Sequence, residues 1–148
     1  DNPAARDSAQ RWRDEGYRGC WVMALGTMDA ANVSVGSPVG HADRIDQMMA
    51  IADGDPVLWV NAATIKGSGA WQSGHMLPWN EALLEACARY PNLRVYDWAS
   101  VVQDDWYSTD QIHQNTAGYV ARAKGIADAL TAAFPGPGGA ASDCVVAR

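Results

Sequence analysis

A chain of 148 residues, 48% of them hydrophobic, suffices for one compact domain with a single core and is short for two. Seventeen acidic side chains against eleven basic ones leave a net charge of −6 with no basic cluster, so a phosphate-backbone partner meets net repulsion and nucleic acid binding is disfavoured. No apolar run approaches the roughly 20 residues of a membrane-spanning helix, and Asp1-Asn2-Pro3 has neither a signal-peptide layout nor an initiator Met, so the expectation is a soluble piece of a longer protein.

In chain order, residues 4–15 read as a helix with Trp12 turned inward. Residues 20–25 (Cys-Trp-Val-Met-Ala-Leu) and 56–60 (Pro-Val-Leu-Trp-Val) are nearly continuous apolar runs, as parallel strands covered on both faces should be, and residues 93–97 (Leu-Arg-Val-Tyr-Asp) form a third. Residues 26–40, polar and glycine-rich, read as a loop. Residues 41–53 carry a helical stripe of Ile45, Met48, Met49 and Ala52, and residues 78–90 another of Trp79, Ala82, Leu83, Ala86, Cys87 and Tyr90. The last helix begins after Asn115, a good N-cap, with Tyr119, Ala123, Ile126, Ala127, Leu130 and Phe134 on one face, and Pro135 stops it. This alternation calls for an α/β fold over residues 1–134, a parallel sheet with right-handed crossovers, and a flexible Gly/Pro-rich tail over 135–148.

Cys20, Cys87 and Cys144 lack the close pairings of a zinc site, so no metal is expected. Cys20, opening a strand, and Cys87, on an apolar helix face, read as small buried hydrophobes, while Cys144 sits in a tail that gains most from a staple. One disulfide involving Cys144 is the expectation in an oxidising compartment, with its partner left open. No Gly-x-Gly-x-x-Gly phosphate loop is present and no cofactor is expected. Trp21, Trp59, Trp79 and Trp98 read as core, His41 and His75 as surface histidines.

In open α/β sheets ligands collect beyond the carboxyl ends of the strands, which directs attention to the loops after Leu25, Val60 and Asp97. The third loop holds Asp110-Gln111-Ile112-His113, a carboxylate and an imidazole three residues apart just before the last helix. One tight loop can then carry a general base and the acid that orients it. Trp71 and Trp106 lie in the flanking loops, where an indole can stack on a sugar ring or line an acyl groove.

A strand ending in Leu25-Gly26-Thr27-Met28-Asp29, and Asp110-x-x-His113 leading into Thr116-Ala117-Gly118-Tyr119, resemble the third and fifth sequence blocks of the SGNH/GDSL hydrolases, the late block being the more specific. Within that family the chain is most similar to the extracytoplasmic SGNH domains fused to membrane acyltransferases in actinobacteria, over residues 20 to about 134. The resemblance implies a three-layer, flavodoxin-like α/β/α fold lacking its first β-α-β part. It also implies His113 as general base and then acid, with Asp110 holding its ring. Gly26, Thr27, Asp29, Asn32 and Trp106 are the implied oxyanion or substrate-binding residues. The implied reaction is serine-based hydrolysis or transfer of an O-acyl group on a cell-envelope glycan or glycolipid, outside the cytoplasm, with a membrane acyltransferase domain of the same protein as partner.

Two departures qualify this. The family's Gly-Asp-Ser block is missing; Asp7-Ser8 is the nearest string, and Ser8 reads as a helix-surface or capping residue, so the nucleophile is expected upstream of residue 1. Met28 stands where the family carries an asparagine that donates to the oxyanion, and a thioether donates nothing, which leaves backbone N–H groups of residues 26–29 and Asn32 for that task. A catalytically inactive SGNH-like module that binds glycan or a partner protein is the alternative, and a receiver-type domain ranks last.

Overall fold

The computed structural model describes residues 3–136 and 139–146. Among them, helix α1 (Pro3–Asp14) leads to strand β1 (Trp21–Met23), helices α2 (Thr27–Ser34) and α3 (His41–Ala52), strand β2 (Val57–Val60), helix α4 (Met76–Ala86), strand β3 (Leu93–Tyr96) and the long helix α5 (Thr116–Ala133). The strands pair in parallel in the order β1-β2-β3, with Trp21 opposite Val57 and Val57 opposite Leu93, so the fold is α/β as expected.

Strand alternation sorts the core into two halves. Trp21, Met23, Val57, Trp59, Leu93 and Val95 face one side, where they pack with Ala9 of α1, Ala30 of α2, Ile45 and Met49 of α3, and Trp79 and Leu83 of α4. Leu58, Val60 and Tyr96 face the other, against Ala129 and Ala133 of α5. One face thus carries four helices and the other a single one. Helix α5 packs on β2 and β3, and Val22, which points to that face from β1, is 44% exposed.

Several elements differ from the sequence expectation for identifiable reasons. In α1 it is Arg13 that is buried, not Trp12, which is half exposed; the guanidinium meets Asp55 at 2.6 Å and donates to the Ala52 carbonyl at 2.6 Å. A buried charge satisfied on several sides can occupy a position that hydropathy assigns to the neighbouring indole. Residues 27–34 are helical rather than a loop, because Ala30 and Ala31 pack inward and Asp29 reaches Arg44 of α3 at 2.9 Å. In α5 the fully buried positions are Gly118, Ala129 and Ala133; Ile126, Leu130 and Phe134 of the expected face pack against the same core, while Tyr119 is half exposed. Small residues let the helix sit close to the sheet: a Cβ on Gly125 would overlap the Tyr96 hydroxyl.

The tail is tied down where it is described. Cys144 pairs with Cys87 at the C-cap of α4, Val145 makes an isolated parallel bridge to Val95 of β3, and Val146 is buried, so residues 144–146 lie along β3. Pro137 and Gly138 of the expected flexible stretch lie outside the described residues. Cys20 is an exposed free thiol, contrary to its expected burial, because β1 begins one residue later and Cys20 stays in the approach to it.

Candidate functional site

Asp110 and His113 sit in a short loop closed by backbone bonds. Tyr107 and Gln114 form an antiparallel bridge, the Ser108 amide donates to the His113 carbonyl at 2.8 Å, and Gln111 turns the chain with φ +65°. A non-glycine residue in that region is uncommon and persists where its surroundings hold it. Here the Gln111 carbonyl accepts from the Ile65 amide at 3.1 Å, which ties the loop to the one after β2.

The Asp110 carboxylate is held on both oxygens. Oδ1 accepts from Ser108 Oγ at 2.8 Å and from the amides of Ile112 and His113 at 2.9 Å each. Oδ2 lies 2.6 Å from His113 Nδ1. The bond to His113, then the two amides and the Ser108 hydroxyl, hold the carboxyl well below the ordinary carboxylate range. An ionised carboxylate only accepts, so Nδ1 carries the proton and the neutral ring has its lone pair on Nε2. That nitrogen has no hydrogen-bond partner among the described residues, and His113 lines a cavity of about 350 Å³.

The cavity is assembled from the carboxyl ends of the strands and from α5. Ala24, Thr27 and Met28 follow β1, Ala63 and Trp71 follow β2, and Trp98 follows β3; Gln114, Tyr119 and Arg122 close it from the other side. The loop after β2 is pinned, with the Asn80 side chain bonding both the amide and the carbonyl of Ala62 at 2.9 Å, and Thr64 Oγ1 donating to the Trp71 carbonyl at 2.8 Å. Asn61 joins the ends of β2 and β3 by donating to Asp97 at 2.7 Å and accepting from the Ala99 amide at 2.8 Å. Met28, Trp71 and Tyr119 are the exposed large apolar side chains at the cavity.

Gly26 caps α2 with φ +140°, a conformation that needs glycine, and a Cβ there would overlap the Trp79 indole. No side chain caps this helix, and the first-turn amides of Thr27 and Met28, two residues that line the cavity, cannot be satisfied within the helix. Thr27 and His113 therefore share the cavity, with Asp110 bound to the ring of His113 and Gly26 in the turn before Thr27. The other candidates are elsewhere. Asp29 is buried against Arg44, whose guanidinium also donates to Ser37 Oγ at 2.7 Å. Asn32 is not among the residues lining the cavity, and Trp106 stacks on Trp98, centroids 5.9 Å apart, over a separate hollow.

The sequence reading missed Arg122. Its guanidinium carbon lies 5.8 Å from the centre of the Trp98 ring, and among the described residues no carboxylate comes within ion-pair distance. Burial lowers its pKa. The nearby Tyr107 phenol is pushed up to about 12 by burial, with Arg122 opposing. A lone arginine in an alanine-rich helix gives no periodicity signal, and its burial depends on aromatic neighbours such as Trp98 that only the tertiary fold brings to it. Compared with family models, curated proteins and solved structures, the chain matches none.

Proposed function

We propose that this chain forms the base-and-acid side of an SGNH-type serine esterase or O-acyltransferase site. The observation that carries this is His113, bound through Nδ1 to a fully satisfied Asp110, with Nε2 unpartnered at a cavity on the carboxyl edge of a parallel sheet. A serine Oγ attacks the ester carbonyl carbon while its proton passes to Nε2. Collapse of the tetrahedral intermediate breaks the bond to the alcohol oxygen, which takes the proton from the imidazolium. Water or an acceptor hydroxyl then repeats the sequence on the acyl-serine. The amides of Thr27 and Met28 are the donors offered to the oxyanion, in place of a side chain at Met28.

The serine comes from a segment of the same protein preceding Asp1, seated beside β1. Two features support this: β1 is the bare edge of the sheet, and Val22 is uncovered on the face that α5 leaves open. The substrate is an O-acylated cell-envelope glycan or glycolipid outside the cytoplasm, a reading favoured by the Cys87–Cys144 disulfide and by the aromatic rim of the cavity. A catalytically inactive glycan-binding module is the second reading, favoured by Met28 and by the absence of a hydroxyl bonded to Nε2 among the described residues.

The full-length gene product should hydrolyse p-nitrophenyl acetate, with His113→Ala reducing kcat by about 10³ or more and Asp110→Asn by a comparable factor. Full turnover in the His113 variant would reject His113 as the base, and no turnover in the parent would reject the enzymatic reading and leave the binding module.

A further inference from the structure

Three polar groups near the His113 cavity are buried without a hydrogen-bond partner among the described residues: Trp98 Nε1 and Arg122 Nε, on two residues that line it, and Tyr107 Oη, on one that does not. Trp98 is 1% exposed and Tyr107 is 7% exposed. Arg122 and Trp98 belong to one neighbourhood, since the guanidinium lies over the Trp98 ring. All three can donate, and two of them can do nothing else.

Buried donors left unpaired are destabilising, and a guanidinium without a counter-charge is more so. The cation–π contact with Trp98 offsets only part of that. Elsewhere in this fold the buried guanidiniums are paired: Arg13 meets Asp55, and Arg44 meets Asp29. Arg122 differs in facing a cavity large enough for a ligand. The protein's net charge of −6 gives no long-range attraction for anions, so any anion held here is held by local donors.

We infer that the cavity recognises a carboxylate on its ligand, with Arg122, which lines it and has no carboxylate partner among the described residues, as the counter-charge. A planar carboxylate fits the forked guanidinium. The apolar wall of Ala24, Met28 and Ala63 then faces the uncharged part of the ligand. For the esterase reading, on which this step rests, the substrate class becomes esters that carry a free carboxylate near the scissile bond. The carboxylate can belong to the acyl group, as in a dicarboxylic half-ester, or to an acidic sugar bearing the ester.

The test is binding of monomethyl succinate, dimethyl succinate and methyl glucuronoside to the unmodified chain, followed by tryptophan fluorescence and by amide NMR shifts. At least one of the two carboxylates should bind better than the neutral diester by on the order of ten- to a hundredfold, and the preference should shrink with added salt. Monomethyl succinate as the better ligand places the charge on the acyl group, and methyl glucuronoside places it on the sugar. Arg122→Gln should abolish the preference, Arg122→Lys retain part of it, and Lys124→Gln, an exposed cation on the same helix, leave it intact. Equal binding of charged and neutral probes, no binding of either carboxylate, or an equal loss in the Lys124 variant would overturn the inference. Because the preference within the unmodified chain needs no variant, a misfolded Arg122→Gln does not blunt the test. Carboxylate binding without p-nitrophenyl acetate turnover in the full-length protein would reject the esterase reading and keep the subsite. Turnover without carboxylate preference would do the reverse.

Discussion

Gly118 lies one turn into α5, directly over the loop that carries Asp110 and His113, and replacing it with alanine sets two known effects against each other. Helix propensity favours the change by about 0.8–1 kcal/mol. Packing opposes it, because the new Cβ would overlap the Trp106 carbonyl oxygen and crowd the Gln114 Cβ. That carbonyl cannot swing away cheaply: it already accepts the Asn115 amide at 2.8 Å, and Asn115 also caps the helix by accepting from the Gly118 amide at 3.0 Å. The same side chain donates to the Asp105 carbonyl at 2.7 Å, so the cap, the helix and the loop move together or not at all. Overpacking of this kind costs about 1–3 kcal/mol, towards the upper end when the obstacle is backbone. The net expectation for Gly118→Ala is a loss of roughly 1–2 kcal/mol, or about 2–8 °C in Tm. Urea denaturation and a thermal melt measure the loss, and the Ser108 and His113 amide resonances should shift with it. A variant as stable as the parent, or more so, would show that helix propensity dominates and that the contact between α5 and the loop is looser than described.

Reduction of the Cys87–Cys144 disulfide opens a loop whose ends are 57 residues apart, which by chain entropy stabilises the folded state by about 4 kcal/mol. Calorimetry should therefore show Tm falling by roughly 8–16 °C on reduction, whereas alkylating exposed Cys20 with the disulfide intact should change little; an unchanged Tm would mean that residues 144–146 hold to β3 without the staple. The Asp110 carboxyl is held below its ordinary value, so its contribution to stability is complete above about pH 4 and is lost only as pH falls through the lower folded value. In a carboxyl-carbon NMR titration Asp110 should stay ionised where an ordinary aspartate is half protonated, and a midpoint at or above about 3.9 would refute the hydrogen-bond set that ties it to His113.

Where burial followed hydrophobic side chains the structure was legible in the sequence. The stripes of α3 and α4 and the three apolar strands are where periodicity placed them. The misreadings share a cause: at those positions the inward residue is small or charged. Helix α2 hides a carboxylate whose partner, Arg44, is on the next helix, and no local pattern announces a pair made in tertiary structure. Helix α5 packs the expected Ile126, Leu130 and Phe134 against the core but turns Gly118, Ala129 and Ala133 most fully inward and leaves Tyr119 half exposed. The same logic divided the site. Asp110 and His113 could be found because their chemistry depends on local spacing, whereas Arg122 and Tyr107 meet only once α5 is laid against the loop after β3.

The uneven cover of the sheet bears on both functional readings. A strand added in parallel beside β1 would lie about 4.8 Å from it and end level with Ala24, which already lines the His113 cavity. A side chain at the end of that strand would come to the wall of the cavity that Ala24 lines. A helix packed behind the strand would cover Val22 on the open half of the face that α5 leaves bare. One addition would therefore pair the edge, bury the exposed valine and bring a hydroxyl towards Nε2. An inactive binding module needs the cavity and Arg122 but gives no reason for Asp110 to be satisfied on both oxygens and to orient an imidazole whose second nitrogen is left unpartnered. That orientation serves a proton-accepting nitrogen, and so the esterase reading accounts for more of the site than the binding module does.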